Sequence, residues 1–146
     1  MDHFLIRCPS CRSANRVPAS SEGRRGKCGS CHALLPPLYS RPVPLSDKSF
    51  DPFVRGFPGT LVAEFWAPWC PHCSEFAKAV ETAAGEMAGR GAFVQINTQE
   101  NPRLAARFNI RGVPTVIVFR NGKESERVSG AMDRQNFLAW CRQRFD

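Results

Sequence analysis

Six of the seven cysteines in this 146-residue chain form Cys-x-x-Cys pairs, a spacing that serves either metal binding or redox chemistry. The first two pairs are separated by sixteen residues, giving C-x2-C-x16-C-x2-C. This spacing is typical of a zinc ribbon, in which four thiolates hold one metal ion. The sequence therefore predicts one structural Zn²⁺ with four protein ligands: Cys8, Cys11, Cys28 and Cys31.

The third pair, Cys70 and Cys73, lies in the stretch W-A-P-W-C-P-H-C, between a strand-like run and a helix-like run. Such a setting indicates a redox-active dithiol rather than a metal site. The helix-like run predicts that Cys70 is the helix N-cap and that Pro71 is the first helical residue, the position where proline suits a helix.

Apolar periodicity and turn signals place this pair within a series of strands and helices. Strands are predicted at residues 60–66, 92–97, 115–119 and 124–129, and helices at 47–54, 71–87, 102–108 and 133–144. An Asn121-Gly122 step predicts a hairpin turn between the last two strands. The order predicts an α/β fold with a central mixed sheet flanked by helices, and Cys141 as a core thiol of the last helix.

Composition divides the chain into a small appendage and one ordinary domain. Residues 1–33 are too few to form an apolar core, so they are predicted to be a zinc-ribbon domain that folds around its metal. Residues 34–44 are proline-rich and are predicted to be an extended linker, and residues 45–146 form the main domain.

The formal charge of +7 is concentrated near the N-terminus, where residues 1–41 hold seven basic and two acidic side chains. This excess either compensates the negative charge of a four-thiolate zinc cluster or attracts nucleic acid. No apolar run is long enough to span a membrane, and the first residues lack the pattern of a secretory signal. We therefore expect a cytoplasmic protein, in a compartment that keeps the zinc-binding thiols reduced.

Several motifs resemble thioredoxin at matching intervals: W-A-P-W-C-x-x-C, N-I-R-G-V-P-T, F-R-N-G-K and V-S-G-A. This similarity covers residues 45–146. Together with the two N-terminal cysteine pairs and the intervening N-R-V-P, the chain resembles the zinc-containing bacterial thioredoxin 2 subfamily.

The resemblance implies the thioredoxin fold, with Cys70 as the attacking thiolate and Cys73 as the resolving thiol. A sulfur at a helix N-terminus faces free N–H groups and the positive dipole end, which supports that assignment. The resemblance also implies a cis peptide bond before Pro114, and a substrate-binding surface formed by Trp69, Val113 and Pro114.

Glu64 is the third catalytic candidate, because it interrupts an otherwise apolar strand. Thioredoxins usually have Asp at the matching position, where it exchanges a proton with the inner cysteine. The family's nearby lysine is replaced by Gln95, so we expect desolvation to raise the pKa of Glu64. A carboxylate that reaches solvent is the alternative.

Between the catalytic cysteines, Pro71-His72 replaces the Gly-Pro of ordinary thioredoxins and resembles strongly oxidising disulfide oxidases. An additional N–H and a nearby imidazole would favour the Cys70 thiolate, and so a less reducing potential. A His72 side chain that points to solvent is the alternative.

The sequence thus predicts a monomeric protein-disulfide oxidoreductase that reduces disulfide-containing proteins, is re-reduced by thioredoxin reductase, and needs no organic cofactor. A thiol oxidase or disulfide isomerase is the alternative within redox chemistry. From another class, the ribbon is a binding module for nucleic acid or protein; nucleic acid is disfavoured because the ribbon lacks an aromatic stripe.

Overall fold

The computed structural model describes residues 3–145. Seven strands and four helices follow one another, together with a short 3-10 helix at Ala19–Ser21. The strands are β1 (His3–Arg7), β2 (Ala14–Pro18), β3 (Val43–Pro44), β4 (Thr60–Trp66), β5 (Gly91–Asn97), β6 (Thr115–Arg120) and β7 (Lys123–Ser129). The helices are α1 (Phe50–Gly56), α2 (Cys73–Glu86), α3 (Pro102–Arg107) and α4 (Arg134–Arg144).

Five strands form one mixed sheet in the order β3-β5-β4-β6-β7, with β3, β5 and β4 parallel to each other and β6 and β7 antiparallel to their neighbours. The predicted hairpin is confirmed: Asn121 and Gly122 both have positive φ between β6 and β7. The sequence did not predict β3, a two-residue strand that ends in proline at the sheet edge.

Helices cover both faces of the sheet, as predicted. Alternating residues of β4 face opposite sides. Val62 packs with residues of α2 and α4, whereas Leu61 and Phe65 pack with residues of α1 and α3. Because Glu64 alternates with Phe65, it lies on the same side as Val62, towards α2.

The start of α2 differs from the prediction. The helix begins at Cys73 with His72 as N-cap, rather than at Pro71 with Cys70 as N-cap. The Cys73 N–H donates to the Cys70 carbonyl at 3.3 Å, so residues 70–73 form a tight turn before the first helical hydrogen bond, from the Phe76 N–H to the His72 carbonyl. Cys70 therefore precedes the helix while remaining at its N-terminal end.

The N-terminal ribbon consists of the β1–β2 hairpin and two similar turns that carry the cysteine pairs. Residue Arg12 donates its N–H to the Cys8 carbonyl, and His32 donates to Cys28 in the same way. Both donors have φ near +68°, with values of 69° and 67°. Equivalent backbone turns thus present the two cysteine pairs to each other.

The segment predicted as a linker is packed along its length. Leu35 contacts Cys8 and Cys28 in the ribbon, and Leu38 packs against Ile6 and Ala88. Tyr39, further along, lies edge-on to two phenylalanine rings, those of Phe53 and Phe57. Through these contacts, the ribbon rests against the domain just beyond the C-terminal end of α2.

Candidate functional site

The third cysteine pair lies at the N-terminal end of α2, beside the end of β4. Cys70 and Cys73 form a disulfide across the tight turn, with their Cα atoms 5.4 Å apart. Both residues are buried, at 7% and 4% exposure, and pack against Ala67, Trp66 and Val113. Only a small fraction of each cysteine is therefore exposed to solvent.

The loop before β6 borders the disulfide. The Val113–Pro114 peptide bond is cis, as the resemblance implied. The Val113 carbonyl oxygen lies 3.6 Å from Cys70 Sγ, and the Pro114 carbonyl accepts the Gly130 N–H at 2.8 Å. The Trp69 side chain is 69% exposed beside the disulfide. Trp69, Val113 and Pro114 thus lie around Cys70, with the Pro114 carbonyl already engaged by Gly130.

Glu64 is buried behind the disulfide, at 1% exposure. Its Oε1 accepts a hydrogen bond from Gln95 Nε2 at 3.1 Å, while its Oε2 is buried without a hydrogen-bond partner within residues 3–145. Desolvation raises the pKa of Glu64 to about 7, against the opposing effect of the Gln95 hydrogen bond. The direction agrees with the sequence prediction, and the solvent-reaching alternative does not describe this side chain.

A cleft of about 330 Å³ connects Glu64 with the redox pair. Its lining includes Glu64, Cys73, Gln95 and a second carboxylate, Glu81 of α2. A carboxyl group with a pKa near neutrality is suited to accept or donate a proton at working pH. The cleft therefore places a buried carboxyl group and the inner cysteine around one shared space. Sequence reasoning missed Glu81, because an exposed acidic residue on a helix carries no signal of its own.

Pro71 and His72, predicted to tune the potential, are both exposed in the turn between the cysteines. The His72 carbonyl accepts the first helical hydrogen bond of α2. The imidazole makes no hydrogen bond within the described residues, so in this oxidised state it extends towards solvent.

The four predicted metal ligands come together in the ribbon. Their sulfur atoms all lie within 4.8 Å of one another, and two pairs across the turns, Cys8 with Cys31 and Cys11 with Cys28, lie 3.6 Å apart. Four converging thiols form the donor set that a tetrahedral Zn²⁺ site uses. These residues can hold a metal ion.

Backbone hydrogen bonds favour the thiolates of Cys8 and Cys28. The backbone N–H groups of Ser10 and Ser30 donate to Cys8 Sγ and Cys28 Sγ, each at 3.4 Å. Nearby backbone N–H groups, that of Cys31 first, lower the pKa of Cys28 to about 6. At Cys31, the hydrogen bond from the Ala33 N–H is outweighed by the neighbouring Cys8 side chain and by burial, which raise the pKa to about 11. Metal ligation requires deprotonated sulfur, so the surroundings of Cys28 lower the cost of binding a cation there.

Asn15 is a supporting residue whose role the sequence did not show. Its Nδ2 donates to Cys28 Sγ at 3.6 Å, and its Oδ1 accepts the Gly29 N–H at 2.9 Å. Asn15 thereby ties β2 to the second turn of the ribbon. It lies in the N-R-V-P stretch between the cysteine pairs, and that position was its only signal.

A buried dithiol at a helix N-terminus, a cis-proline loop beside it and a mixed sheet flanked by helices define a thiol–disulfide oxidoreductase. The thioredoxin family model matches residues 41–143. The chain belongs to the thioredoxin family, and it is a thioredoxin-type disulfide oxidoreductase with the thioredoxin fold.

Known relatives agree with this assignment. Thioredoxin C-3 of Corynebacterium nephridii is 33% identical over 140 residues, covering 96% of this chain and 94% of its own length. The chloroplastic thioredoxin M4 of Arabidopsis thaliana is 38% identical over 112 residues, which cover 76% of this chain and 58% of that protein. A solved mutant thioredoxin from Halobacterium salinarum NRC-1 has a TM-score of 0.66 and 27% identity, covering 73% of this chain and 93% of its own.

Within residues 3–145, no helix combines the length and the apolar character needed to cross a membrane.

Proposed function

We propose that this thioredoxin reduces disulfide bonds in protein substrates, with Cys70 as nucleophile and Cys73 as resolving thiol. The Cys70 thiolate attacks one substrate sulfur, forming a mixed disulfide and releasing the other substrate sulfur as a thiolate. Cys73 then attacks Cys70 Sγ, which releases the second substrate thiol and leaves the Cys70–Cys73 disulfide. The observation that carries this proposal is the position of the pair in one cleft with a buried carboxyl group.

Glu64 is the proton acceptor in the second step. An ionised Glu64 takes the proton from the Cys73 thiol as that sulfur attacks, and returns it when the pair is reduced again. The long side chain is held by Gln95, through a neutral hydrogen bond in place of the family's cation. This neutral partner leaves the pKa of Glu64 high enough for the exchange to occur near neutral pH.

Substrate recognition uses the surface around Cys70. Trp69 offers an exposed apolar face, and the backbone at Val113 and Pro114 borders the sulfur. An extended substrate segment would be held by main-chain contacts here, which tolerate many sequences. We therefore expect a broad range of protein disulfides rather than one small-molecule substrate.

Pro71 and His72 give this protein a less reducing potential than a Gly-Pro thioredoxin. One additional charge-assisted hydrogen bond to the Cys70 thiolate, worth about 1.5 to 3 kcal/mol, corresponds to about 30 to 65 mV. The double change Pro71→Gly with His72→Pro should lower the potential by that amount, measured by equilibration with glutathione buffers. A wild-type potential at or below about −270 mV, typical of thioredoxin, would refute the idea.

The direction of electron flow has a direct test. We expect insulin reduction to be faster than the refolding of a scrambled disulfide protein under the same buffer conditions. The Pro71-His72 sequence supports the alternative of a thiol oxidase or isomerase. The Gly-Pro variant is the matched control, because it should shift activity further towards reduction; faster oxidative refolding by the wild type would favour the alternative.

The ribbon holds one Zn²⁺ through Cys8, Cys11, Cys28 and Cys31, as in the zinc-containing thioredoxin 2 subfamily. These residues lie on the two ribbon turns, which a bound ion would join, and the donor set of four thiolates supports zinc over harder cations. Elemental analysis of the purified chain should give one zinc per molecule, and none after Cys8→Ser with Cys28→Ser. Another metal in stoichiometric amount would contradict the assignment.

The remaining proposals follow from family membership. Thioredoxin reductase supplies electrons to the Cys70–Cys73 disulfide, and the protein works as a cytoplasmic monomer with no organic cofactor. The ribbon comprises residues 1–33, the connecting segment 34–44, and the thioredoxin domain 45–146. NADPH oxidation in an assay with thioredoxin reductase tests the partner. Light scattering measures the molar mass and so tests the monomeric state.

A further inference from the structure

The ribbon carries a basic cleft that the redox function does not use. This cleft has a volume of about 310 Å³ and lies beside β2 and the segment after the short 3-10 helix. Its apolar part includes Val17 and Leu35. Four exposed cationic side chains line it: Arg16, Arg24, Arg25 and Lys27.

None of these four cations has a carboxylate partner in the described part of the chain. Arg25 Nε donates to the Leu35 carbonyl at 3.0 Å, which fixes one edge of its guanidinium group. The ribbon's acidic residue within residues 3–41 is Glu22, and it accepts the Arg41 N–H at 2.6 Å instead. The cleft therefore presents four cations that form no ion pair with a carboxylate of residues 3–145.

Direct hydrogen bonds to the cysteine sulfurs do not account for the cations of this cleft. The cysteine sulfurs receive their hydrogen bonds from backbone N–H groups and from the Asn15 amide. The four cations donate no hydrogen bond to a cysteine sulfur within the described residues. Their side chains converge on an open cavity, which is the arrangement expected for an anionic ligand.

The neighbouring surface favours a polypeptide over a nucleic acid. A second cleft of about 390 Å³ shares Arg25 with the basic cleft and is lined by apolar residues that include Pro36, Pro37 and Pro58. Its aromatic residue, Phe57, already stacks on the ring of Phe53. The lining of the basic cleft contains no aromatic ring for base stacking. A peptide could place acidic side chains in the basic cleft and the apolar side chains that follow them in the second cleft.

We propose that the ribbon cleft binds an acidic segment of the proteins whose disulfides the redox site reduces. This inference rests on the proposed function. The ribbon contacts the domain beyond the C-terminal end of α2, while Cys70 and Cys73 lie at its other end. A helix of 14 residues is about 21 Å long, so both sites can engage one substrate.

Binding is tested with the full, zinc-loaded chain and a fluorescent hexaglutamate peptide. Three pocket substitutions, Arg16→Gln, Arg24→Gln and Lys27→Gln, should weaken binding by about tenfold, or about 1.4 kcal/mol. The matched control removes three exposed cations elsewhere, through Lys48→Gln, Arg103→Gln and Lys123→Gln. The control should bind like the wild type; equal loss in both variants would overturn the proposal, because it would reflect net charge alone.

An oligothymidylate of equal charge distinguishes the two classes of partner. We expect it to bind more weakly than hexaglutamate, since the cleft offers no base-stacking surface. Tighter binding of the oligothymidylate, lost in the pocket variant, would overturn the proposal in favour of a nucleic-acid site. Zinc content and thermal unfolding of each variant verify that the ribbon remains folded.

Turnover connects the cleft with the redox site. The substrate is a peptide with one disulfide, a flexible linker of about ten residues and a tail of either six glutamates or six glutamines. The linker is long enough to reach from the redox site to the cleft, because an extended chain spans about 3.3 Å per residue. The glutamate tail should raise kcat/KM by about tenfold in the wild type and not in the pocket variant. The advantage should also disappear in about 1 M salt.

The two failures are distinguishable. If the wild type does not reduce the glutamine-tailed peptide, the proposed reductase function is wrong. If it reduces both peptides at the same rate, only the cleft proposal is wrong. A glutamate advantage that survives high salt or the pocket substitutions would also overturn it.

Discussion

Burial of Glu64 links the proton chemistry of the site to the pH dependence of stability. Its pKa rises from the ordinary value of 4.5 to about 7 in the folded chain, chiefly through desolvation. At about 1.4 kcal/mol per tenfold change in proton affinity, that rise corresponds to about 3 kcal/mol. This is a large share of the stability of a small domain.

The direction follows from proton binding in the two states. Between about pH 4.5 and about pH 7, folded Glu64 retains a proton that unfolded Glu64 has released. The stabilisation due to this proton is fully present below about pH 4.5 and is lost as the pH rises through about 7. Glu64 therefore makes the folded protein less stable in mildly alkaline than in mildly acidic solution.

The substitution Glu64→Gln isolates this effect, because it keeps the side-chain shape and removes the ionisation. The free energy of unfolding of the variant minus that of the wild type should rise by about 3 kcal/mol as the pH increases from about 4.5 to about 8. Guanidinium unfolding of the oxidised, zinc-loaded chains measures both curves. Taking the difference cancels the pH dependence of the ribbon, which the two proteins share.

Glu81→Gln provides the matched control, since it removes an exposed carboxylate from the same cleft. If this variant changed the pH dependence as much as Glu64→Gln does, burial of Glu64 would not be the cause. A constant difference between Glu64→Gln and the wild type over the whole pH range would show that the buried carboxyl group is not desolvated as described.

Two further substitutions test the ribbon. Gly89→Ala should destabilise the chain by about 2 kcal/mol in denaturant unfolding, because Gly89 has φ of +86° and an added Cβ would overlap Ile6. Gly56→Ala is the control and should not destabilise the chain, since the space around Gly56 is open. Asn15→Ala should weaken zinc binding by about tenfold or more in chelator competition, since it removes the hydrogen bond to Cys28 Sγ; unchanged affinity would mean that Asn15 does not support the site.

The sequence predicted those parts of the site whose signals are local. The cysteine spacings separated the group of four ribbon cysteines from the Cys70–Cys73 pair, and the members of each group come together as expected. Glu64 was recognisable because one acidic residue interrupted a strand with apolar residues on both faces. In each case, a few neighbouring residues contained the information.

Features determined by distant contacts were missed. The strand Val43–Pro44 exists because β5 pairs with it, which no two-residue pattern can indicate. The buried leucines of the proline-rich segment, Leu35 and Leu38, have partners in both the ribbon and the domain. The start of α2 was placed too early because a proline at a helix start and a proline in the preceding turn give the same local signal.

The position of the ribbon limits what it contributes. Cys70, Cys73, Glu64 and the loop at Val113 all belong to the part of the chain matched by the thioredoxin family, and they form the redox site at one end of α2. The ribbon docks beyond the other end, through Ile6. Because Coulomb effects are screened over such a distance, charge in the ribbon has little influence on the sulfur chemistry at Cys70. On the proposal made above, its basic cleft binds part of the substrate, and the ribbon then adds substrate choice to a redox centre that lies wholly in the thioredoxin domain.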